Sequence, residues 1–253
     1  MAQRVLVTAG ANGIGLAMAQ AFLASGAQVR VTDVDLEALT RLPDGIVGHP
    51  VNAADEAALA GLFARISADW GGLDVLCANA GTKGPTGAVE DIGLDDWRAC
   101  LAVNLDGAFL VAKHATPMMK AQRSGVMLFT SSTAGIYGFP YRSPYAAAKW
   151  AVIGLMKTLA MELGPYGIRA NAILPGAVNG PRMDAVIAAE AKARRMTPQA
   201  VRAGYEQGTA LRSFVDAEDV ANMAVFLASP AARLVSGQAM AVDGFTINPD
   251  PQV

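Results

Sequence analysis

Apolar and polar positions along this chain follow two alternating periods. Seven short runs read as strands: RVLVT (4–8), QVRVTD (28–33), IVGHPV (46–51), LDVLCANAG (73–81), VMLFTSS (126–132), IRANAILPG (168–176) and QAMAVDG (238–244). Most are near-continuous apolar stretches bounded by turn residues, the pattern of strands buried on both faces. Between them lie segments with helical spacing. Ile14, Met18, Phe22 and Leu23 mark the first, which Gly26 closes. DLEALTRL is a short helix stopped by PDG, residues 55–70 form a second clear helix, and helical regions cover roughly 94–120 and 143–164. Apolar strands alternating with helices predict an α/β fold with a parallel sheet of about seven strands and helices on both faces. The segment 177–215 interrupts the alternation. It carries Arg and Met but no strand pattern, and is expected to be a substrate lid inserted over one end of the sheet. The tail NPDPQV is too short and Pro-rich to fold alone; it either drapes over a neighbouring subunit or is loose.

Composition narrows the class. With 253 residues and 53% hydrophobic side chains, the chain can bury a sizeable core, and residues 1–253 are read as a single domain. The net charge is −2 and no Lys/Arg run exceeds two residues, which argues against a nucleic-acid face or a polybasic membrane patch. Two cysteines (Cys77, Cys100) and two histidines (His49, His114) supply neither a disulfide framework nor a metal site. The cysteines read as small core residues. The N-terminus has no signal-peptide pattern, and no apolar stretch is long enough to span a bilayer. A cytoplasmic location is expected.

The turn after the first run, TAGANGIG (8–15), carries Gly10, Gly13 and Gly15. A strand, a Gly-rich turn and a helix start are the parts of a pyrophosphate cradle: backbone N–H groups and the helix N-terminus face the anion, and glycine lets the backbone approach. The GxGxxG spacing is reversed here, and glycine needed for turn geometry alone is the competing reading. Asp33, at the end of the second run and 18 residues after Gly15, would accept hydrogen bonds from adenosine ribose hydroxyls and repel a 2′-phosphate. It could instead cap the helix at 35–41, a position for which Asp35 is equally placed. Asn12 in the turn is neutral and offers no cation to such a phosphate. A Cβ at Ala9 leads us to expect an extended backbone there, with any left-handed step taken by Gly10.

The stretch SSTAGIYGFPYRSPYAAAK (131–149) holds candidate chemistry. Tyr145 and Lys149, four apart on a predicted helix, share one face. A phenol titrates near 10; a cation held close favours the phenolate and moves it toward use as a base. Ser132 stands at the C-terminal end of the fifth run, where ligands bind in such sheets, and its hydroxyl could hold a carbonyl or alcohol oxygen. A Tyr-x-x-x-Lys pair alone is a common accident of amphipathic helices.

Together, these stretches resemble the short-chain dehydrogenase/reductase family, from Val5 to Gly244. Its pattern is met by Thr8–Gly15, by A-N-A-G at Ala78–Gly81, by Asn104, by Ser132, by Tyr145 with Lys149, and by Pro175–Gly176. Ala9 and Ala78 depart from it, each standing where a Gly or Asn is usual. The resemblance implies a Rossmann-like doubly wound fold and hydride transfer between a substrate carbon and nicotinamide. Tyr145 would be the general acid/base, and Lys149 would lower its pKa and hold the nicotinamide ribose. Ser132 would orient the substrate oxygen, and Asn104 would hold a water relaying protons to Lys149. The alternative for Asn104, a kink residue bonded to its own helix backbone, is compatible with that role. The same resemblance places Gly10, Asn12, Gly13, Ile14 and Gly15 around the cofactor. Asn52 and Ala53 would lie beside the adenine, Asn79, Ala80 and Gly81 along the cleft, and Pro175 and Val178 near the carboxamide. It also implies a homotetramer built on the 94–120 and 143–164 helices.

The pocket is expected to be closed by Thr133, Tyr137 and Phe139 from one loop and by Arg182, Met183 and Tyr205 from the insertion. Arg182 could clamp a substrate carboxylate; an exposed lid charge or a cofactor-phosphate contact are the other readings. The leading expectation is an NAD(H)-dependent oxidoreductase acting on a secondary alcohol or ketone. The alternatives are an NADPH-dependent 3-oxoacyl-thioester reductase and a non-catalytic NAD(H)-sensing module.

Overall fold

The computed structural model describes residues 2–250. Its seven strands are β1 (Arg4–Thr8), β2 (Gln28–Asp33), β3 (Ile46–Pro50), β4 (Val75–Ala78), β5 (Gly125–Thr130), β6 (Ile168–Pro175) and β7 (Ala239–Val242). They form one parallel sheet in the order β3-β2-β1-β4-β5-β6-β7. Period-two alternation splits each central strand between two cores. Leu6, Leu76, Met127, Phe129 and Ala172 face α3 (Glu56–Trp70), α5 (Gly107–Gln122) and α6 (Ser143–Leu163). Val5, Val7, Val75, Cys77 and Leu128 face α1 (Gly13–Ala24) and α9 (Ala217–Ala228). Two faces buried on every central strand explain why these runs read as continuous apolar stretches rather than alternating ones.

Short polar residues set the helix starts. Asp35 accepts from Ala38 N at 3.0 Å to cap α2 (Leu36–Thr40), and Asp55 accepts from Ala58 N at 3.0 Å to cap α3. The expected long helix over 94–120 is two helices, α4 (Leu94–Leu101) and α5, joined by a π-helical turn at Ala102–Asp106. The 177–215 segment holds α7 (Pro181–Arg194) and α8 (Pro198–Gln207) and no strand. Isolated bridges tie it down, Val178 to Val215 and Thr209 to Thr246. The pattern reading gave no helix between 215 and 238, where α9 lies. Its signal is local: Asp216 N donates to Asp219 Oδ2 at 2.9 Å, and Val220, Ala221, Ala224 and Leu227 form a buried face.

The tail differs from both expectations. Ile247 N and Asn248 N donate to Gly208 O at 2.8 and 3.0 Å, and Asp250 Oδ1 lies 2.5 Å from Arg194 Nη2 on α7. As far as Asp250, then, the tail is fastened to the chain's own insertion. Its remainder, residues 251–253, lies outside the described residues.

Candidate active site

The strand order reverses between β1 and β4, and a cavity of about 570 Å³ opens at the C-terminal ends of the strands there. A crevice at such a switch point is where doubly wound sheets bind ligands. Asn79 joins three strand ends. Its Nδ2 donates to Thr8 O (3.1 Å) and Ala9 O (3.2 Å), and its Oδ1 accepts from Thr130 Oγ1 (3.0 Å). Thr8 Oγ1 accepts from the backbone N–H of Asn79 and of Ala80, each at 2.9 Å. These bonds need no side chain at position 78, where Ala78 is buried core.

The turn corrects one expectation. Ala9 takes the left-handed step at φ 49°, and so does Gly13 at φ 51°, whereas Gly10 has no positive φ. Gly10 is needed for space: its N–H bonds to Thr32 O at 2.9 Å, and a Cβ there would come within 2.6 Å of Val31. The twist at Ala9 turns its carbonyl toward Asn79 and the start of α1. A Cβ on Gly15 would meet that carbonyl oxygen at 2.0 Å. A left-handed alanine costs about 1–2 kcal/mol, partly offset by the greater unfolded-state freedom of glycine. Ala9→Gly is therefore expected to raise stability by about 0.5–1 kcal/mol in urea unfolding; a loss of stability would contradict the strain at this residue.

Asp33 is held rigidly at one end of the cavity. Its Oδ2 accepts from Ala11 N at 3.0 Å, and its Oδ1 accepts from Val34 N at 2.8 Å and Asp35 N at 3.1 Å. Asp35, not Asp33, caps α2, so the Asp33 carboxylate remains in the cavity lining. The Asn12 amide donates to Asp35 Oδ2 at 3.3 Å, so this side chain brings no positive charge.

At the other end lie Ser132, Tyr145 and Lys149, all in the lining. Lys149 is buried and its Nζ donates to Thr130 O at 2.9 Å, 5.6 Å from the Tyr145 ring centroid. Burial pushes the Tyr145 phenol up, but Lys149, Arg182, Arg142 and the Ser132 hydroxyl together pull it below its ordinary value. Burial likewise pulls the Lys149 ammonium down, with Tyr145 opposing. Asn104 sits in the π turn. Its Nδ2 donates to Cys100 O (2.9 Å) and Thr82 O (3.1 Å), while its buried Oδ1 has no partner among the described residues. The side chain thus bonds its own helix and still presents an acceptor. Gly81 makes room: a Cβ there would lie 2.7 Å from Asn104 Oδ1 and 3.3 Å from Lys149 Nζ.

Gly13, Ile14, Gly15, Asn79, Gly81, Pro175 and Val178 line the same cavity, as do Thr133, Phe139, Arg182, Met183 and Tyr205. Arg182 Nη1 donates to Gly81 O at 3.1 Å, and Tyr205 Oη donates to buried Glu190 at 2.8 Å. Six expected residues lie outside that lining: Gly10 and Asn104, whose places are given above, and four more. Tyr137 is outside the lining and donates its hydroxyl to Thr246 O at 3.2 Å. Asn52 accepts from Ala54 N, Ala53 is buried against Gly107, and Ala80 serves the strand junction through its N–H. Sequence reasoning missed Arg142 and the tail residues Thr246, Asn248 and Pro249, which also line the cavity. The signal for Arg142 was its spacing, three residues before Tyr145 where α6 begins. No helix among the described residues is long and apolar enough to cross a membrane, and no cluster there could hold a metal ion.

The comparisons with known proteins agree with this geometry. A family model described as enoyl-(acyl carrier protein) reductase matches residues 8–245. Trans-4-hydroxycyclohexanecarboxylate dehydrogenase of Sinomonas cyclohexanicum is 34% identical, covering 94% of this chain and 90% of its own. The 3-oxoacyl-[acyl-carrier-protein] reductase of Thermotoga maritima is 33% identical, covering 94% and 95%. Among solved structures, NAD⁺-bound xylitol dehydrogenase superposes with a TM-score of 0.93 at 28% identity, covering 96% of this chain and 98% of that one. The chain belongs to the short-chain dehydrogenase/reductase family and is an oxidoreductase that interconverts a secondary alcohol and a ketone.

Proposed function

We propose that this enzyme uses NAD(H) and that Tyr145 exchanges the proton with the substrate oxygen. One observation carries the reading: the Tyr145 phenol, lowered by neighbouring cations, shares a cavity with a rigid Asp33 carboxylate. The residues suit a dinucleotide. Gly13, Ile14 and Gly15 at the start of α1 line the cavity, Gly15 leaves room for the Ala9 carbonyl that a Cβ would meet at 2.0 Å, and the free N–H groups of that first turn would suit a pyrophosphate. Asp33 Oδ2, which accepts a single backbone N–H, keeps accepting capacity for a ribose hydroxyl, and the carboxylate would repel a 2′-phosphate.

When bound, the nicotinamide supplies the hydride acceptor in oxidation and the donor in reduction. In the oxidative direction the Tyr145 phenolate takes the alcohol proton, and the Ser132 hydroxyl holds the same oxygen in place. Lys149 spends one N–H on Thr130 O. Its remaining donors serve Tyr145 and the nicotinamide ribose. Asn104 Oδ1 holds a water that passes the proton from Lys149 toward solvent. Arg182, bonded to the Gly81 carbonyl, fastens the lid formed by the 177–215 insertion over the cleft. A homotetramer is supported by exposed Phe109 on α5 and by exposed Trp150 and Met161 on α6.

A thioester reductase using NADPH would need a cation near Asp33, and the lining cations Arg142, Lys149 and Arg182 are all near Tyr145 instead. Following NADH formation from NAD⁺ across a panel of secondary alcohols tests the reading. Tight NADH binding without turnover of any alcohol would favour the sensing module.

A further inference from the structure

Arg142 enters the steps above only as one of the cations that lower the Tyr145 phenol. It lies immediately before α6 and is only 7% exposed, yet it makes no ion pair among the described residues. Nη2 donates to Lys83 O at 3.1 Å, and Cζ stands 4.4 Å over the Tyr145 ring. Nε is buried without a partner among the described residues. The buried Glu190 carboxyl feels the Arg142 charge but is not bonded to it: Glu190 takes the Tyr205 hydroxyl and lies 4.0 Å from Arg194. A buried guanidinium with no anion bonded to its fork is costly, and that planar fork matches two carboxylate oxygens.

The cavity repeats this imbalance. Among the described residues its lining contains the cations Arg142, Lys149 and Arg182, and Asp33 is the one carboxylate. Asp33 is occupied with the turn at the opposite end. Lys149 and Arg182 are each bonded to a backbone carbonyl, at Thr130 and Gly81. The backbone also directs Arg142. Tyr141 adopts a left-handed φ of 62°, a conformation a bulky residue rarely holds, and Gly87 N bonds its carbonyl at 2.9 Å.

We propose that Arg142 anchors a carboxylate on the substrate, so that the alcohols and ketones turned over here are hydroxy acids and oxo acids. The anchor would place the anion beside the face of Tyr145 and so bring the carbinol carbon to the phenol. Phe139, Met183 and Val186 give the intervening carbons an apolar wall. This inference rests on the dehydrogenase reading for its substrate class, and the test keeps the two apart.

The test compares acetoacetate and levulinate with their methyl esters, with NADH as reductant, in the wild type, Arg142→Gln and Arg142→Lys. The wild type is expected to prefer each acid over its ester by about a hundredfold in kcat/KM. Arg142→Gln should abolish that preference, losing about a hundredfold on the acids and under about tenfold on the esters; Arg142→Lys should restore part of it. A wild type that prefers esters, or parallel losses on acid and ester, would overturn the proposal, the second by showing that Arg142 acts only through Tyr145. A binding arm is independent of turnover. Butanoate, which has no oxygen to reduce, should raise the Tm of the wild-type NADH complex, an effect missing in Arg142→Gln. No protection of the wild type would also overturn the anchor. If no ketone were reduced while butanoate still protected, the dehydrogenase reading would fail and the anchor would stand. If Arg142→Gln did not fold, the wild-type acid-to-ester ratio and butanoate protection would decide.

Discussion

Tyr145→Phe is expected to reduce kcat by about a thousandfold, within the range for loss of a positioned general acid or base. The substitution removes one oxygen and keeps the ring that Arg142 covers at 4.4 Å, so the packing survives. Ser132 and Lys149 remain, but neither can replace the phenol: an alkyl hydroxyl ionises far less readily than a phenol, and an ammonium has no lone pair with which to take the alcohol proton. NADH binding, followed by fluorescence titration, should remain close to wild type, because Asp33 and the glycine turn are untouched. Turnover surviving within about tenfold would remove Tyr145 from the proton-transfer step.

Lys149→Met should have the next largest effect, and it should depend on pH. In the oxidative direction the base must be ionised, so kcat/KM rises as pH climbs through the Tyr145 pKa and levels above it. The wild-type midpoint should lie below the ordinary tyrosine value near 10. Removing the cation 5.6 Å from the ring should move that midpoint upward, since an opposite charge at such range shifts a titration by about one to three pH units. Near neutral pH the loss should then be about a hundredfold and should shrink as pH rises. Arg142 and Arg182 stay in place and preserve part of the lowering. An unshifted profile would mean that Lys149 does not tune Tyr145.

Much of this was legible in the sequence because each feature had a local cause. The seven strands were visible as apolar runs since both faces of every central strand are buried, as Leu6 and Val7 on opposite cores illustrate. Tyr145 and Lys149 come together through helical spacing alone. Strand ends were overrun where tertiary bonds stop pairing: Asn79 leaves β4 because its N–H turns to Thr8 Oγ1. The left-handed Ala9 was not legible, because the space beside Gly10 is set by Val31 on a neighbouring strand. Arg142 escaped notice for a similar reason. Its burial depends on the Tyr141 backbone and on packing against Tyr145. The tail's docking depends on Gly208 and Arg194, both distant in sequence from Asn248 and Asp250.

The assignment of cofactor and chemistry meets in one measurement, kcat/KM for NADH and NADPH determined side by side on a reducible ketone acid. Asp33 has both oxygens fixed by backbone N–H groups and cannot swing away from a 2′-phosphate. Close like charges cost several kcal/mol, so NADH should be preferred by about a hundredfold or more. Equal use of the two cofactors, or a preference for NADPH, would contradict the account.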